Sequence, residues 1–289
     1  MKVDNAIILA AGTSSRFAPL SYETHKALIK VKGEILIERQ IRQLKEAGIE
    51  DIIIVTGYKA ESFAYLKEKY NLTLIHNPEY LTRNNHSSIY VVKDHLKNSY
   101  ICSGDNYFRI NPFTMEVDES YYAALFAPGK TAEWCITTDK DDYISKVEIG
   151  GENSYYMMGH TFWSKEFSSR FIKILEEIYP LEETKDMLWE DIYIRNLNTL
   201  KMKIRRYPKN DIFEFDTLDE LRLFDPSYIE DTSSAILKQI AKELHIQEKD
   251  IHDIKPLKTN STKAVGFLFK EEENTYQYTY QDKHLEKQS

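Results

Sequence analysis

The chain has 289 residues, 42% of them hydrophobic, enough for one large α/β domain plus a small appendage. A net charge of −8 and an isoelectric point near 5.6 argue against nucleic acid or an anionic membrane surface as partner, so an anionic substrate must be met by local cations or a metal. Two cysteines, Cys102 and Cys135, give no disulfide framework, and no signal peptide or apolar stretch of spanning length is visible, so the expected location is the cytoplasm.

The N-terminal stretch organises the rest. Ala6–Leu9 is an apolar run that reads as a buried strand, and it breaks into small and polar residues from Ala10 to Ser15 before Arg16 and Lys26. Main-chain N–H groups can converge on phosphate oxygens only where no side chain intervenes, which accounts for Ala10, Ala11 and Gly12 in succession. No G-K-[ST] follows this loop, so it is not a Walker A element.

Residues 34–47 carry apolar side chains at helical spacing and stop at Gly48, and 51–56 is a β-branched run ending at Gly57-Tyr58. Residues 60–70 read as a helix and 72–75 as a strand; Asn84 to Ser88 opens a helix near 89–97, and 99–103 is a strand running into Gly104-Asp105. This alternation predicts a Rossmann-like doubly wound α/β sheet. Residues 121–126, 133–138, 144–149 and 155–163 alternate like antiparallel strands, so the sheet is expected to be mixed. Helices are expected over 167–178 and 185–196, strands over 201–207 and 212–215, and a closing helix over 218–224. A polar linker, 226–234, separates a catalytic domain (1–228) from a small α+β appendage (234–289) made of a helix at 236–244 and a hairpin of 265–269 with 275–280.

Two carboxylates complete the chemistry. Asp105 and Asp216 each follow a predicted strand, and the carboxyl ends of strands are where open α/β sheets bind ligands. Oxygen ligands from distant strands suit Mg²⁺, which keeps several waters and bridges to substrate phosphates. All three tryptophans lie in the middle of the chain, and Glu133-Trp134 and Trp189-Glu190-Asp191 set two of them directly beside carboxylates. Aromatic faces with nearby negative charge recognise a quaternary ammonium, which cannot donate hydrogen bonds.

The run A-A-G-x-x-S-R-x-x-P-x(6)-K, Ala10 to Lys26, resembles the signature A-A-G-x-G-[ST]-R…P-K of the nucleotidyltransferases, with Ser14 in place of the second glycine and His25 in place of the proline. The resemblance implies that Arg16 and Lys26 are catalytic and hold the triphosphate, with Ala10, Ala11, Gly12, Thr13 and Ser14 lining it. It implies Mg²⁺ held by Asp105 and by Asp216 of an E-x-D-type element, Glu214-Phe215-Asp216. Gly57-Tyr58 and Asn84-Asn85-x-x-Ser88 look like the positions that hold cytosine in bacterial CTP:phosphocholine cytidylyltransferases, and Glu133, Trp134, Trp189, Glu190 and Asp191 look like that family's choline cage. CTP and a small phosphorylated amine are the implied substrates, phosphocholine first, with 2-aminoethylphosphonate, phosphoethanolamine and phosphorylated glutamine as alternatives; a non-catalytic nucleotide-sensing module is the reading from another class. In the tail, IAKELHI…IKPLK…T-x-x-x-x-F-x-F is faintly similar to the first lobe of choline-kinase-type enzymes without their catalytic loop, and a non-catalytic appendage, structural or dimerising, is the expectation there.

Overall fold

The computed structural model of the protein describes residues 1–258 and 264–288. The threonine of the faint kinase-like pattern, Thr262, lies outside them. Contacts divide the chain into two compact units, Met1–Gly12 with Ile37–Glu214, and Thr13–Leu36 with Phe215–Ser289. The division does not follow the linker expected at 226–234. That stretch holds a helical turn, Ser227–Glu230, and buries Tyr228, Thr232 and Ser234.

The first unit is built on a seven-stranded mixed sheet, in the order Lys203–Arg206, Tyr121–Thr138, Ile144–Trp163, Ser99–Ser103, Asn5–Ala10, Ile52–Thr56 and Thr73–His76. The last four strands are mutually parallel, with Ala6 opposite Ile52 and Tyr100. Helices cover such strands on both faces, which explains why Ile52–Thr56 is a continuous β-branched run with every residue buried. Each of its isoleucines contributes roughly 1.5–3 kcal/mol by leaving water.

The antiparallel half differs from the expectation in one respect. The four short strands predicted over 121–163 are two long ones of 18 and 20 residues. They are bent, because Cys135 pairs with both Glu148 and Tyr156, and Ile136 with both Val147 and Tyr155. Gly129, Gly150 and Asn153, all at positive φ, lie within these strands where segments were expected to end, and Asp142, also at positive φ, sits in the turn between the two strands.

Several boundaries also move. The helix expected at 34–47 begins at Leu36, since Glu34–Ile35 pairs with Lys30–Val31 as a hairpin, and it ends before Gly48 at φ +84. The helix expected at 89–97 is instead His86–Tyr90 plus a separate turn, Lys93–His95. The helix expected at 185–196 starts only at Trp189, because Leu188 is extended and Asp191 caps its N–H.

In the second unit, Leu218–Phe224 is a helix as predicted, opened by a Thr217–Glu220 capping box. The tail forms a helix, Ala235–Leu244, and a four-stranded antiparallel sheet, His252–Lys258, Ala264–Glu271, Asn274–Thr279 and His284–Lys287. The expected hairpin is its centre, with Phe269 opposite Tyr276, and the two outer strands are additional. No helix among the described residues is long and apolar enough to cross a membrane.

Candidate active site

In the first unit the Asn5–Ala10 strand delivers the small-residue loop. Leu9 O accepts from Gly104 N at 2.9 Å and Ala11 O from Tyr58 N at 3.0 Å, so the loop's beginning is tied to the ends of both neighbouring strands. Gly57 is needed for this closeness: a Cβ there would lie 2.7 Å from Ala11 O and 2.7 Å from the Tyr80 ring. Gly57→Ala should therefore destabilise by about 1–3 kcal/mol through overpacking. An unchanged melting temperature for this variant would remove the packing reason for glycine.

Asp105 lies just beyond the Ser99–Ser103 strand, half-buried, and its Oδ1 accepts from the Ser103 hydroxyl at 2.5 Å. Gln40 fixes the turn by donating to the carbonyls of Ser103 and Asn106 at 2.8 and 2.9 Å.

Asn84 and Ser88 have structural duties. Asn84 bonds to the backbone of Lys185 and Asp186 at 2.7 and 3.0 Å, and buried Ser88 accepts from Asn77 Nδ2 at 3.1 Å. Asn85 joins this loop to the next element. Its Oδ1 accepts from Trp189 N at 2.7 Å and its Nδ2 donates to Glu190 at 3.1 Å. Sequence reasoning placed Asn85 in the cytosine motif but did not foresee its link to Trp189 and Glu190.

The two tryptophan–carboxylate pairs part company. Trp189 is 3% exposed, stacked on Tyr122 with centroids 5.8 Å apart and edge-on to Trp163 at 5.2 Å, so its ring is core rather than open cage wall. Trp134, on the Tyr121–Thr138 strand, is partly buried against the same core, and Glu133 is exposed. Asp191 is a helix cap, accepting from Leu188 N at 2.7 Å. Glu190 is different: burial pushes its carboxyl up to about 7, against hydrogen bonds from Asn85 and Tyr122 that favour the ionised form. Two tyrosines complete the surroundings. The Tyr122 phenol is raised by burial and then by Glu190 and Glu214, and that of Tyr156 by burial and then by Glu133 and Glu214. Tyr122, Tyr156 and Glu214 thus share a field of carboxylates with the predicted Glu133 and Glu190. Sequence reasoning did not bring these three together, because they come from segments separated in sequence.

The second unit holds the cations. Ser14 adopts φ +47, ψ +42, the left-handed conformation that the motif's glycine would take freely, so the substitution keeps the loop's path. His25 also has a purpose: its Nδ1 accepts from Ala27 N at 3.1 Å, capping the turn Lys26–Leu28 that fixes Lys26. Lys26 is 3% exposed, with its ammonium 5.8 Å from the Phe17 ring centroid. Asp216 binds both cations, Arg16 at 2.6 Å and Lys26 at 3.6 Å. Its placement corrects the sequence reading, for the strand before it, Ile212–Phe213, pairs with Tyr107–Phe108 in a separate ribbon and not in the main sheet.

Asp105, in the first unit, and Asp216, in the second, are each of the chemistry that a hard divalent cation takes. Asp105 and Asp216 offer oxygen donors and both are only partly buried. Among the described residues no three or more His, Cys, Asp or Glu side chains form a group that could cage a metal. A cation completed by substrate phosphates and water needs only one or two carboxylates.

The profile of the MobA-like NTP transferase domain matches residues 6–109. The choline-phosphate cytidylyltransferase of Streptococcus pneumoniae is 35% identical over 217 residues, 75% of this chain and 95% of that protein. The 2-aminoethylphosphonate cytidylyltransferase of Lancefieldella rimae is 34% identical over 229 residues, 78% of this chain and 93% of that protein. A solved structure of CTP:phosphocholine cytidylyltransferase from Streptococcus pneumoniae superimposes with a TM-score of 0.75 at 34% identity, covering 78% of this chain and 99% of that one. With the A-A-G loop, the mixed sheet and this likeness over nearly the full length of its relatives, the chain belongs to the MobA-like family of nucleotidyltransferases.

Proposed function

We propose that the protein is a Mg²⁺-dependent cytidylyltransferase that transfers CMP from CTP to a small phosphorylated amine, phosphocholine first, releasing pyrophosphate. The observation that carries this is the arrangement of Arg16 and Lys26 around Asp216, two cations gathered on one carboxylate just after the A-A-G loop. A substrate phosphate oxygen attacks the α-phosphorus in line and pyrophosphate leaves, so no protein nucleophile is required. Lys26, already desolvated, offsets charge that grows on the phosphoryl oxygens, and Arg16, 68% exposed, can follow the triphosphate. Asp105 and Asp216 are the carboxylates that would hold Mg²⁺, which when bound neutralises phosphate charge. Backbone N–H groups from Ala10 to Ser14 line the triphosphate, with the cytosine near Gly57, Tyr58, Asn84 and Ser88.

For the acceptor's cationic head we assign Tyr122, Tyr156, Glu133, Glu190 and Glu214, with Trp134 at the margin and Trp189 as the floor under Tyr122. The likeness to a 2-aminoethylphosphonate enzyme supports a primary ammonium as a second reading, and Glu190 favours it, because a carboxylate accepts the hydrogen bonds that a trimethylammonium lacks. Incubating the protein with each nucleoside triphosphate, Mg²⁺ and a panel of phosphorylated amines while measuring pyrophosphate tests the proposal. Release that is independent of the acceptor, or a purine triphosphate as the best donor, would sink it.

Glu190 yields a pH prediction. Its folded-state pKa of about 7 lies above the ordinary 4.5, so the stability this group contributes is full below about pH 4.5 and is lost as pH rises toward 7. Acceptor binding runs the other way, since the ionised form attracts the cation. KM for the acceptor should fall as pH rises through about 7, and Glu190→Gln should flatten that slope while leaving KM for CTP nearly unchanged. A persistent slope in the variant would assign the titration to another group.

A further inference from the structure

Lys26 and Asp216 are each attached, through short elements, to the C-terminal part of the second unit. On the Lys26 side, the helical turn Leu20–Glu23 ends in a carboxylate that caps another helix. Glu23 Oε1 accepts from Ala235 N at 2.8 Å and Ile236 N at 3.2 Å, and its Oε2 accepts from the Ser234 hydroxyl. A negative charge at the N-terminus of the ten-residue Ala235–Leu244 helix is well placed. Tyr22 stacks on Tyr280 with ring centroids 3.8 Å apart. Past Lys26, Lys30 O accepts from the Tyr228 hydroxyl and Lys32 N donates to Asp225, both at 2.6 Å. Residues 20–32 are therefore fastened to the tail on either side of Lys26.

On the Asp216 side, the Leu218–Phe224 helix carries a buried arginine. Arg222 donates to the carbonyls of Ile251 at 2.6 Å, Glu248 at 2.7 Å and Tyr228 at 3.3 Å, and Asp219 accepts from Asp253 N at 2.9 Å. The partners of Arg222 are backbone carbonyls and its helical neighbour Asp219, a set that fixes position and performs no chemistry.

We infer that the chain beyond Asp225 is a positioning element for the phosphate-binding cations, gripping Lys26 through Glu23 and Asp216 through Arg222. This rests on the nucleotidyl-transfer reading, and it replaces an independent appendage with a part of the catalytic apparatus. Glu23 and Arg222 are its positioning residues.

The test uses full-length Glu23→Gln, Glu23→Asp and Arg222→Lys. For Glu23→Gln, kcat should fall on the order of tenfold to a hundredfold, as expected when a reacting group is misplaced by about 1 Å. KM for the acceptor should stay unchanged, Glu23→Asp should recover part of the rate, and Arg222→Lys should behave like Glu23→Gln. Amide exchange over residues 24–32, measured without substrate, should quicken in Glu23→Gln whichever reaction the chain performs. Unchanged exchange would overturn the attachment. Faster exchange with wild-type kcat would overturn the positioning role while leaving the transferase reading intact. A wild-type protein that releases no pyrophosphate with any nucleotide would instead count against the transferase reading, and with it the catalytic sense of the positioning, while the exchange result still decides the attachment.

Discussion

Lys26→Met is expected to lower kcat for nucleotidyl transfer by about 10²–10³-fold, the scale of losing one preorganised charge partner at a reacting centre, about 2.7–4 kcal/mol of barrier. Methionine keeps most of the lysine stem that packs beside Phe17, so the change removes charge more than volume. Asp216 is not stranded by it, because Arg16 still pairs with that carboxylate at 2.6 Å. The melting temperature should therefore move far less than the rate. Burial sharpens the effect: an ammonium 3% exposed has already lost its water, so its attraction for a phosphoryl oxygen is weakly screened. A Lys26→Met enzyme with near wild-type turnover at saturating CTP would show that the reacting phosphates lie elsewhere.

Asp105→Asn should abolish most activity with a smaller loss of CTP affinity, since the proposed contacts to the base do not involve the metal's charge partner. The substitution is nearly isosteric. Ser103 donates to the carboxylate oxygen and can donate equally to the asparagine oxygen, and Gln40 holds the turn through backbone carbonyls that the change does not touch. Folding should be spared, and titrating Mg²⁺ against rate separates the two roles. A variant that regains full rate at ordinary Mg²⁺ concentration would take Asp105 out of the metal site.

What was legible in the sequence was local. The buried run before Ala10, the β-branched Ile52–Thr56 strand, the glycine stop at Gly48 and the closing helix Leu218–Phe224 each follow from a few adjacent residues, and all stand in the fold. What was illegible depended on partners distant in sequence. Nothing near Asp216 announces that the strand before it leaves the main sheet to pair with Tyr107–Phe108. Trp189 beside two carboxylates fits an open cage as well as a core helix start, and Tyr122, Trp163 and Phe171, from distant elements, decide for the core. The outer tail strands hide behind charge: His252–Lys258 carries Pro256 and two lysines, which suits an edge that must not recruit another strand.

The second unit joins residues 13–36 to residues beyond 215. Chains leave the ribosome N-terminus first at about 5–20 residues per second, and domains generally fold as units during synthesis. The parallel strands can begin pairing early, whereas the ties of the Arg16 and Lys26 segment to Asp216 and Ser234 can form only after those residues have been made. The carboxylate that pairs with both Arg16 and Lys26 is thus made roughly two hundred residues after them, and the pairing belongs to the late part of synthesis rather than to the early pairing of the sheet.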